Sequence, residues 1–358
     1  MTLPNPTALT ALLHQLGATP EDAAEVLRTM PSPDRDPELW RLLERSHHLL
    51  SRGLANQNTN AEPLPPSPAA LKLFPVHVIL ATVDAIRACH QQFGIPDDVS
   101  WETLSQLGRA MAAHRQSHGQ PGIHLSRWDW LRFFGWLYQV GRLEVTPYRI
   151  RTHPPEAGPL FWYDDETASR LGPGFRKGDP ALGLHVPATD ALTPEACDES
   201  LRRIQTAFAG VYPGDPPRIA TCTSWLLDDQ LAEYLPADSN ILTFQRRFEL
   251  VPGARDNDDV ILHFVFGADR PKQLEALPQD TTLERAVVRH LQTGRHWRTR
   301  TGWLTLGDIA HRSRCGADTR VCRVETHLDA LALDECAETR SLGIEKRCPP
   351  IESARRLI

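Results

Sequence analysis

The hydrophobic period of the chain changes near Gly141, and this change limits the possible folds more than any other feature of the sequence. Before it, apolar residues recur at the three- and four-residue spacing of helices. TPEDAAEVLRTM opens with Thr19-Pro20-Glu21-Asp22: a capping residue, a first-turn proline, and acids at the positive end of a helix dipole. DPELWRLLERSHHLL carries Leu39, Leu42, Leu43 and Leu49 at helical spacing. LANQNTNAEPLPPSPAALKLFP, rich in Asn and Pro, reads as a loop or linker over about 54–73. Helices then resume in FPVHVILATVDAIRACHQQFG and DDVSWETLSQLGRAMAAHRQSHG. The aromatic-rich RWDWLRFFGWLYQVGRL also reads as helical, its rings filling the core of a bundle.

After Gly141 the pattern becomes that of strands. GRLEVTPYRI alternates with a period of two, and GPLFWY and ALGLHVPAT are further candidates. TPEACDESLRRIQTAFAGVY predicts a helix capped by Thr193. IATCTSWLLD reads as a buried strand and DDQLAEYL as a short helix. SNILTFQRRFELV and DDVILHFVFG are expected to form a closing strand hairpin, and TTLERAVVRHLQTG a last helix ended by Gly294. The expectation is a helical domain over 1–140, a mixed α/β or α+β domain over 141–305, and a tail over 306–358 with little periodicity.

Composition removes several functional classes. Hydrophobic residues at 41% and charged residues at 23% describe a globular chain, not a disordered one. A formal charge of −6 argues against a nucleic-acid partner. No stretch approaches the roughly 20 apolar residues of a membrane span. The start MTLPNPTALTALLHQLG lacks the basic n-region and apolar run of a secretory signal, so a cytoplasmic location without a membrane partner is expected. Seven cysteines contain no CxxC pair, and no metal is expected.

The order strand, strand, strand, helix, strand, helix, strand, strand resembles the GNAT acyltransferase fold. The resemblance sharpens in HRQSHGQPGIHLSRWDWLRFFGWLYQVGRLEV, GLHVPATDALTPEACDESL and CTSWLLDDQLAEYLPADSNILTFQRRF. These stretches are similar to a two-domain branch that joins a helical N-terminal domain to a GNAT-like mixed-sheet domain. Its coverage here runs from about residue 15 to residue 305. The sequence lacks the Q/RxxGxG/A phosphate loop of ordinary GNAT enzymes. The resemblance implies an N-acyltransferase moving a long acyl group from acyl-CoA to an amine. In the best-understood members that amine is on the amino sugar of a teicoplanin-type glycopeptide antibiotic; another natural-product or protein amine stays open. The alternative is a non-catalytic acyl-CoA-binding or regulatory module with the same fold.

Amide formation from a thioester needs a neutral amine, donors for the oxyanion, and departure of the thiolate. His185 lies in the strand that the resemblance sets beside the acyl carbonyl, where a neutral imidazole can remove the proton from an attacking ammonium, directly or through water. Tyr234, in the helix after SWLLD, is a candidate to protonate the departing thiolate. Ser224 can hydrogen-bond the thiol or amine, and Asp228 can hold a substrate ammonium. Strand-end capping explains those last two equally. Coenzyme A also carries a pyrophosphate, which suits a helix N-terminus. The backbone at Ala191, Leu192 and Thr193 is the expected place, with Arg246 or Arg247 reaching a phosphate. The basic run Arg285, Arg289, Arg295, Arg298 and Arg300 reads as a solvated face or a second phosphate site. Phe161 and Trp162 are expected to line the acceptor cleft or pack in the core. Cys222 as an acyl-enzyme nucleophile is set against a buried structural thiol, and His263 is a lesser candidate base.

Overall fold

The computed structural model describes residues 3, 5–54, 71–150, 165–172, 174–187, 190–267 and 270–307. Among these residues seven helices come first: α1 (Pro6–Gln15), α2 (Pro20–Thr29), α3 (Pro37–Gly53), α4 (Phe74–Gln92), α5 (Asp97–Leu104), α6 (Gln106–His118) and α7 (Arg127–Phe133). Local chemistry sets their ends. Thr19 accepts from the Asp22 N–H at the start of α2, and Ser126 with Asp129 forms a reciprocal capping box on α7. Their apolar faces enclose one core around Leu13, Val26, Leu43, Leu50, Ile79 and Met111. Bare backbone closes the contact between α1 and α6. A Cβ on Gly108 would stand 2.1 Å from the Gly17 carbonyl carbon, so only glycine fits.

The second half is built on a sheet. β1 (Tyr138–Val140) and β2 (Leu143–Arg149) are followed by α8 (Asp165–Leu171), β3 (Pro180–His185), α9 (Pro194–Ala207) and β4 (Ile219–Ser224). Then come α10 (Asn240–Gln245), β5 (Glu249–Leu250), β6 (Arg255–Asp256), α11 (Asp258–Phe266), α12 (Thr282–Gln292) and β7 (Arg298–Thr305). The strand order is β1-β2-β3-β4-β7-β5, with β6 on the end of β7. Among the described residues the pairings are antiparallel except β3 with β4, whose parallel crossover is α9. α9 buries Cys197, Leu201 and Ile204 against the sheet, as its capped amphipathic sequence predicts.

Three sequence expectations change. The closing hairpin does not form, because SNILTFQ is helix α10 and DDVILHFVF is helix α11. An unbroken apolar run carries no period, so it reads equally as buried strand or helix. Here Asp258 and Asp259 at the positive dipole end and Gly267 at φ +82° close it as a helix. The missing strand is β7, whose RTRTGWLT reads as a solvated basic stretch but pairs with β4 along its length. Helical structure in RWDWLRFFGWLYQVGRL stops at Phe133. Gly135, at φ +71°, turns the chain toward β1. The linker (largely 55–70), Phe161, Trp162 and the tail cysteines lie outside the described residues.

Candidate active site

The parallel pair β3 and β4 opens the site. Its register holds at Leu182 with Ala220 and at Gly183 with Thr221, then the strands part while β3 runs on to His185 and β4 to Ser224. Strand backbone without a strand partner must bond elsewhere, so a splayed parallel pair offers amide groups to an extended ligand. A cavity of about 1080 Å³ occupies this wedge. Its wall on the β2–β3 side is polar, with Glu144, His185, Asp129, Arg132, Arg142 and Asp190. On the β4 side it is apolar, with Trp225, Leu226, Leu235, Ile241, Val260 and Phe264. Phe264, on α11, is 51% exposed at this wall.

His185 sits at the open end of β3. Its Nε2 is 3.2 Å from Thr146 Oγ1, and the Trp128 indole meets its ring edge-on at 4.7 Å between centroids. Burial, with the Arg132 charge adding to it, pushes the imidazole down to about 4. The ring is therefore neutral throughout the physiological range. Directly opposite in the β2–β3 register stands Glu144, so the two side chains share one face of the sheet. Glu144 is 1% exposed. Arg132 Nε donates to its Oε1 at 2.6 Å, and Nη2 of the same guanidinium makes a second ion-pair contact. Arg132 Nη1 reaches Asp129 Oδ1 at 2.7 Å within α7, so the guanidinium whose Nε binds Glu144 ties that helix to the sheet. Glu144 Oε2 is buried without a hydrogen-bond partner among the described residues. Burial raises the Glu144 carboxyl; Arg132 and Trp128 oppose the rise without cancelling it.

Arg142 projects from the turn between β1 and β2. Its backbone N–H donates to Ser200 Oγ at 2.7 Å and its Nε to the Ala191 carbonyl at 3.2 Å. Nη1 is buried with no partner among the described residues. Burial lowers its pKa, so an anion here would relieve a desolvated charge. The adjoining backbone is that of Ala191 and Leu192, and Leu192 lines the cavity. Thr193 Oγ1 accepts from the Ala196 N–H, which leaves it a capping role.

Several predicted residues are engaged elsewhere. Ser224 lines the cavity, and its Oγ accepts from the Leu226 N–H at 3.1 Å, leaving its own hydrogen to donate. Asp228 is 0% exposed and accepts from Gln230 N, Gln230 Nε2 and Arg298 N at 3.1, 3.2 and 2.7 Å. With its oxygens spent joining β4 to β7, it has none turned to a substrate ammonium. Tyr234 does not line the cavity; its hydroxyl lies 3.1 Å from His290 Nδ1 and its ring packs on Trp297. Arg246 and Arg247 follow a helix instead of facing opposite sides of a strand. Arg246 bonds the Ala237 carbonyl, and Arg247 bonds Asp198 at 2.8 Å and the Pro194 carbonyl at 3.2 Å beside the start of α9. Of the basic run, Arg295, Arg298 and Arg300 pair with Glu233, Asp256 and Asp229, and Arg285 bonds backbone carbonyls. Cys222 lines the cavity, but complete burial pushes its thiol up to about 12, so no useful thiolate forms. His263 is on α11, away from the polar wall.

Sequence reasoning missed Glu144, Arg142 and Trp128. Glu144 occupies what reads as the solvent face of an alternating strand, and Arg142 sits in a turn where arginine is ordinarily solvated. Trp128 sits in an aromatic cluster read as core, yet it is 44% exposed at the cavity. Only the last carried a signal, since tryptophan beside Asp129 and Arg132 sits oddly in a pure core.

A splayed parallel pair in a mixed sheet, with a neutral histidine at its mouth and an apolar wall opposite, defines a GNAT-like acyltransferase. Comparison with known proteins agrees. Residues 7–135 match the N-acyltransferase N-terminal domain, and residues 137–304 match the GNAT-like C-terminal domain. An acyltransferase structure in complex with decanoyl-CoA and teicoplanin is 40% identical, with a TM-score of 0.66, over 85% of this chain and 90% of that one. One in complex with CoA and 10C-teicoplanin is 39% identical, with a TM-score of 0.66 over the same shares. A mutant in complex with octanoyl-CoA is 39% identical, with a TM-score of 0.65, over 85% and 89%. No curated protein matches the sequence. The chain belongs to the two-domain N-acyltransferase family, with a helical N-acyltransferase domain followed by a GNAT-like domain.

Proposed function

We propose that the protein transfers a medium or long acyl group from acyl-CoA to the amine of an amino sugar on a teicoplanin-type glycopeptide. The observation that carries this reading is the two-sided cavity in the β3–β4 wedge, apolar on one wall and ionic on the other. Its volume is at the upper end of the range for small-molecule sites, with room for a pantetheine arm and an aliphatic chain. Each buried methylene of that chain contributes about 0.8 kcal/mol, which favours the wall of Trp225, Ile241, Val260 and Phe264. Arg142 and the backbone at Ala191 and Leu192 take the pyrophosphate, with Thr193 shaping the helix start. Relatives solved with decanoyl-CoA, octanoyl-CoA and teicoplanin support the donor and acceptor classes. An acyl-CoA donor also fits a cytoplasmic enzyme.

In the reaction the amine nitrogen attacks the thioester carbonyl in the wedge. Strand amides left free by the splay donate to the oxyanion. His185, neutral and held by Thr146, takes the proton that nitrogen sheds as the C–N bond forms. An imidazolium beside Arg132 is disfavoured, so it readily gives this proton to the departing sulfur. Ser224 is the neighbouring hydroxyl able to stabilise that sulfur. The test is mass spectrometry of products from a panel of acyl-CoAs incubated with teicoplanin pseudoaglycone and simple amines. Acylated pseudoaglycone with a preference for decanoyl- over acetyl-CoA is expected; CoA release without any acylated amine would refute the proposal.

A further inference from the structure

The nitrogen of an alkyl or sugar amine arrives as an ammonium ion and must lose two protons before it becomes an amide. His185 can carry the second, from nitrogen to sulfur. It is badly suited to the first, because taking that proton from an ammonium would leave an imidazolium, a second cation beside buried Arg132. We propose that Glu144 is a catalytic residue: its buried Oε2 receives the acceptor as an ammonium ion and takes the first proton. The inference rests on the acyl-transfer reading above.

Geometry and charge carry the assignment. Glu144 stands opposite His185 across the β2–β3 pair, so one nitrogen can meet both side chains. Its Oε1 is occupied by Arg132, and its Oε2 is buried at the cavity with no close hydrogen bond among the described residues, the Trp128 indole being the donor nearest the carboxyl. An orphaned buried carboxylate oxygen is costly and calls for a donor. One guanidinium, Arg132, serves two carboxylates, Asp129 and Glu144, and the surplus is one negative charge. Asp190 on the same wall is paired with Arg109 at 3.9 Å, and Arg142 is turned to the Ala191 carbonyl, so neither offsets the charge beside Glu144. A single ammonium neutralises it. Burial then favours the protonated, neutral carboxyl, as the raised Glu144 titration indicates.

The protons balance. R–NH3+ and the Glu144 carboxylate become R–NH2 and the carboxylic acid. The free amine adds to the thioester, its next N–H proton passes through His185 to the sulfur, and amide and CoA thiol leave. Glu144 returns its proton to solvent before the next turn. The pocket therefore selects amines that are cationic in solution, which fits an aliphatic amino sugar and disfavours an aromatic amine.

The test uses the full chain with decanoyl-CoA and two acceptors: teicoplanin pseudoaglycone, and a simple alkoxyamine that is neutral at pH 7. Glu144→Gln should lower kcat/KM for the ammonium acceptor about 10²–10⁴-fold relative to wild type. It should leave decanoyl-CoA affinity intact and change turnover of the alkoxyamine far less. His185→Ala should impair both acceptors. Equal losses of Glu144→Gln on the two acceptors would reduce Glu144 to a support for Arg132, and normal turnover of the ammonium acceptor would overturn the assignment outright. Should that variant not fold, the wild type decides with a series of simple amines of graded basicity. Near-constant kcat/KM at pH 7 is expected, and a fall of about tenfold per unit of amine pKa would show that only free amine from solution reacts. A wild type that binds decanoyl-CoA yet acylates neither acceptor would overturn the acyl-transfer reading itself, and this assignment with it.

Discussion

A histidine at the mouth of a splayed strand pair is useful only if it is neutral and correctly held, and both conditions come from its surroundings. Thr146 anchors Nε2, Trp128 covers one edge of the ring, and burial keeps the imidazole uncharged down to about pH 4. His185→Ala should lower kcat about 10²–10⁴-fold, or 3–5 kcal/mol of barrier, with acyl-CoA affinity little changed. Steady-state kinetics beside a CoA binding isotherm checks this, and an unchanged kcat would discard the proton-transfer role. Arg142 makes a second residue-scale prediction. Its Nη1 is buried with no partner among the described residues, and a hydrogen bond to a charged group is worth about 1.5–3 kcal/mol, so a bound phosphate at this atom would be strongly felt. Arg142→Gln should weaken CoA about tenfold or more while leaving a pantetheine thioester, which lacks the pyrophosphate, unaffected. Equal weakening of the two by calorimetry would remove Arg142 from the phosphate site.

Elements matter here through the angles at which they deliver such residues. The turn between β1 and β2 is tight, with Gly141 at φ +59° and a would-be Cβ only 2.7 Å from Ser200 Oγ. That same hydroxyl accepts from the Arg142 N–H, so the turn and α9 together set where the Arg142 side chain stands. Gly141→Ala should cost about 1–3 kcal/mol of stability through strain and overpacking, and should weaken CoA as well. Denaturant melts with a parallel CoA titration measure both effects, and a fully stable variant with wild-type CoA affinity would contradict the coupling. The element scale is also where sequence reading loses accuracy. Capped α9 was legible because Thr193, Pro194 and Glu195 state its start in local chemistry. α11 was not, because DDVILHFVF has no period to separate helix from buried strand. β7 was obscured by Arg298 and Arg300, whose long side chains pair across the sheet edge with Asp256 and Asp229.

At the scale of the molecule, two buried imidazoles and one half-buried in the cavity make folding sensitive to acid. His77, His90 and His185 are each pushed down to about 4, chiefly by burial. In the unfolded chain each binds a proton near pH 6.5, so between those values the unfolded state holds more protons. Stability from these groups is full above pH 6.5 and is lost as pH falls toward 4. Glu144 and Asp228, raised by burial, act in the opposite direction: their ionisation costs native stability as pH climbs past the ordinary carboxylate range. Three histidines against two carboxyls leave stability rising with pH over this window, by on the order of 1 kcal/mol per pH unit or more. Thermal melts from pH 7 to pH 4 should show the midpoint falling, and a flat or rising profile on acidification would contradict these assignments.

The residues by themselves determined a helical half followed by a strand-bearing half, because hydrophobic period and capping are local properties. They also determined His185 as a candidate, since GLHVPAT running into a capped helix marks a strand end beside a helix start. Ser224 and the Ala191–Thr193 backbone were candidates for the same reason. Only the tertiary structure decided that Glu144 faces His185, that Arg132 from α7 divides its charge between two carboxylates, and that Arg142 meets the chain before α9. It also turned Tyr234 and Asp228 inward, onto His290 and onto the backbone at Gln230 and Arg298. Each of these relations joins residues from different elements through strand register or helix packing. No local pattern encodes register; it follows from burying both faces of the sheet at once.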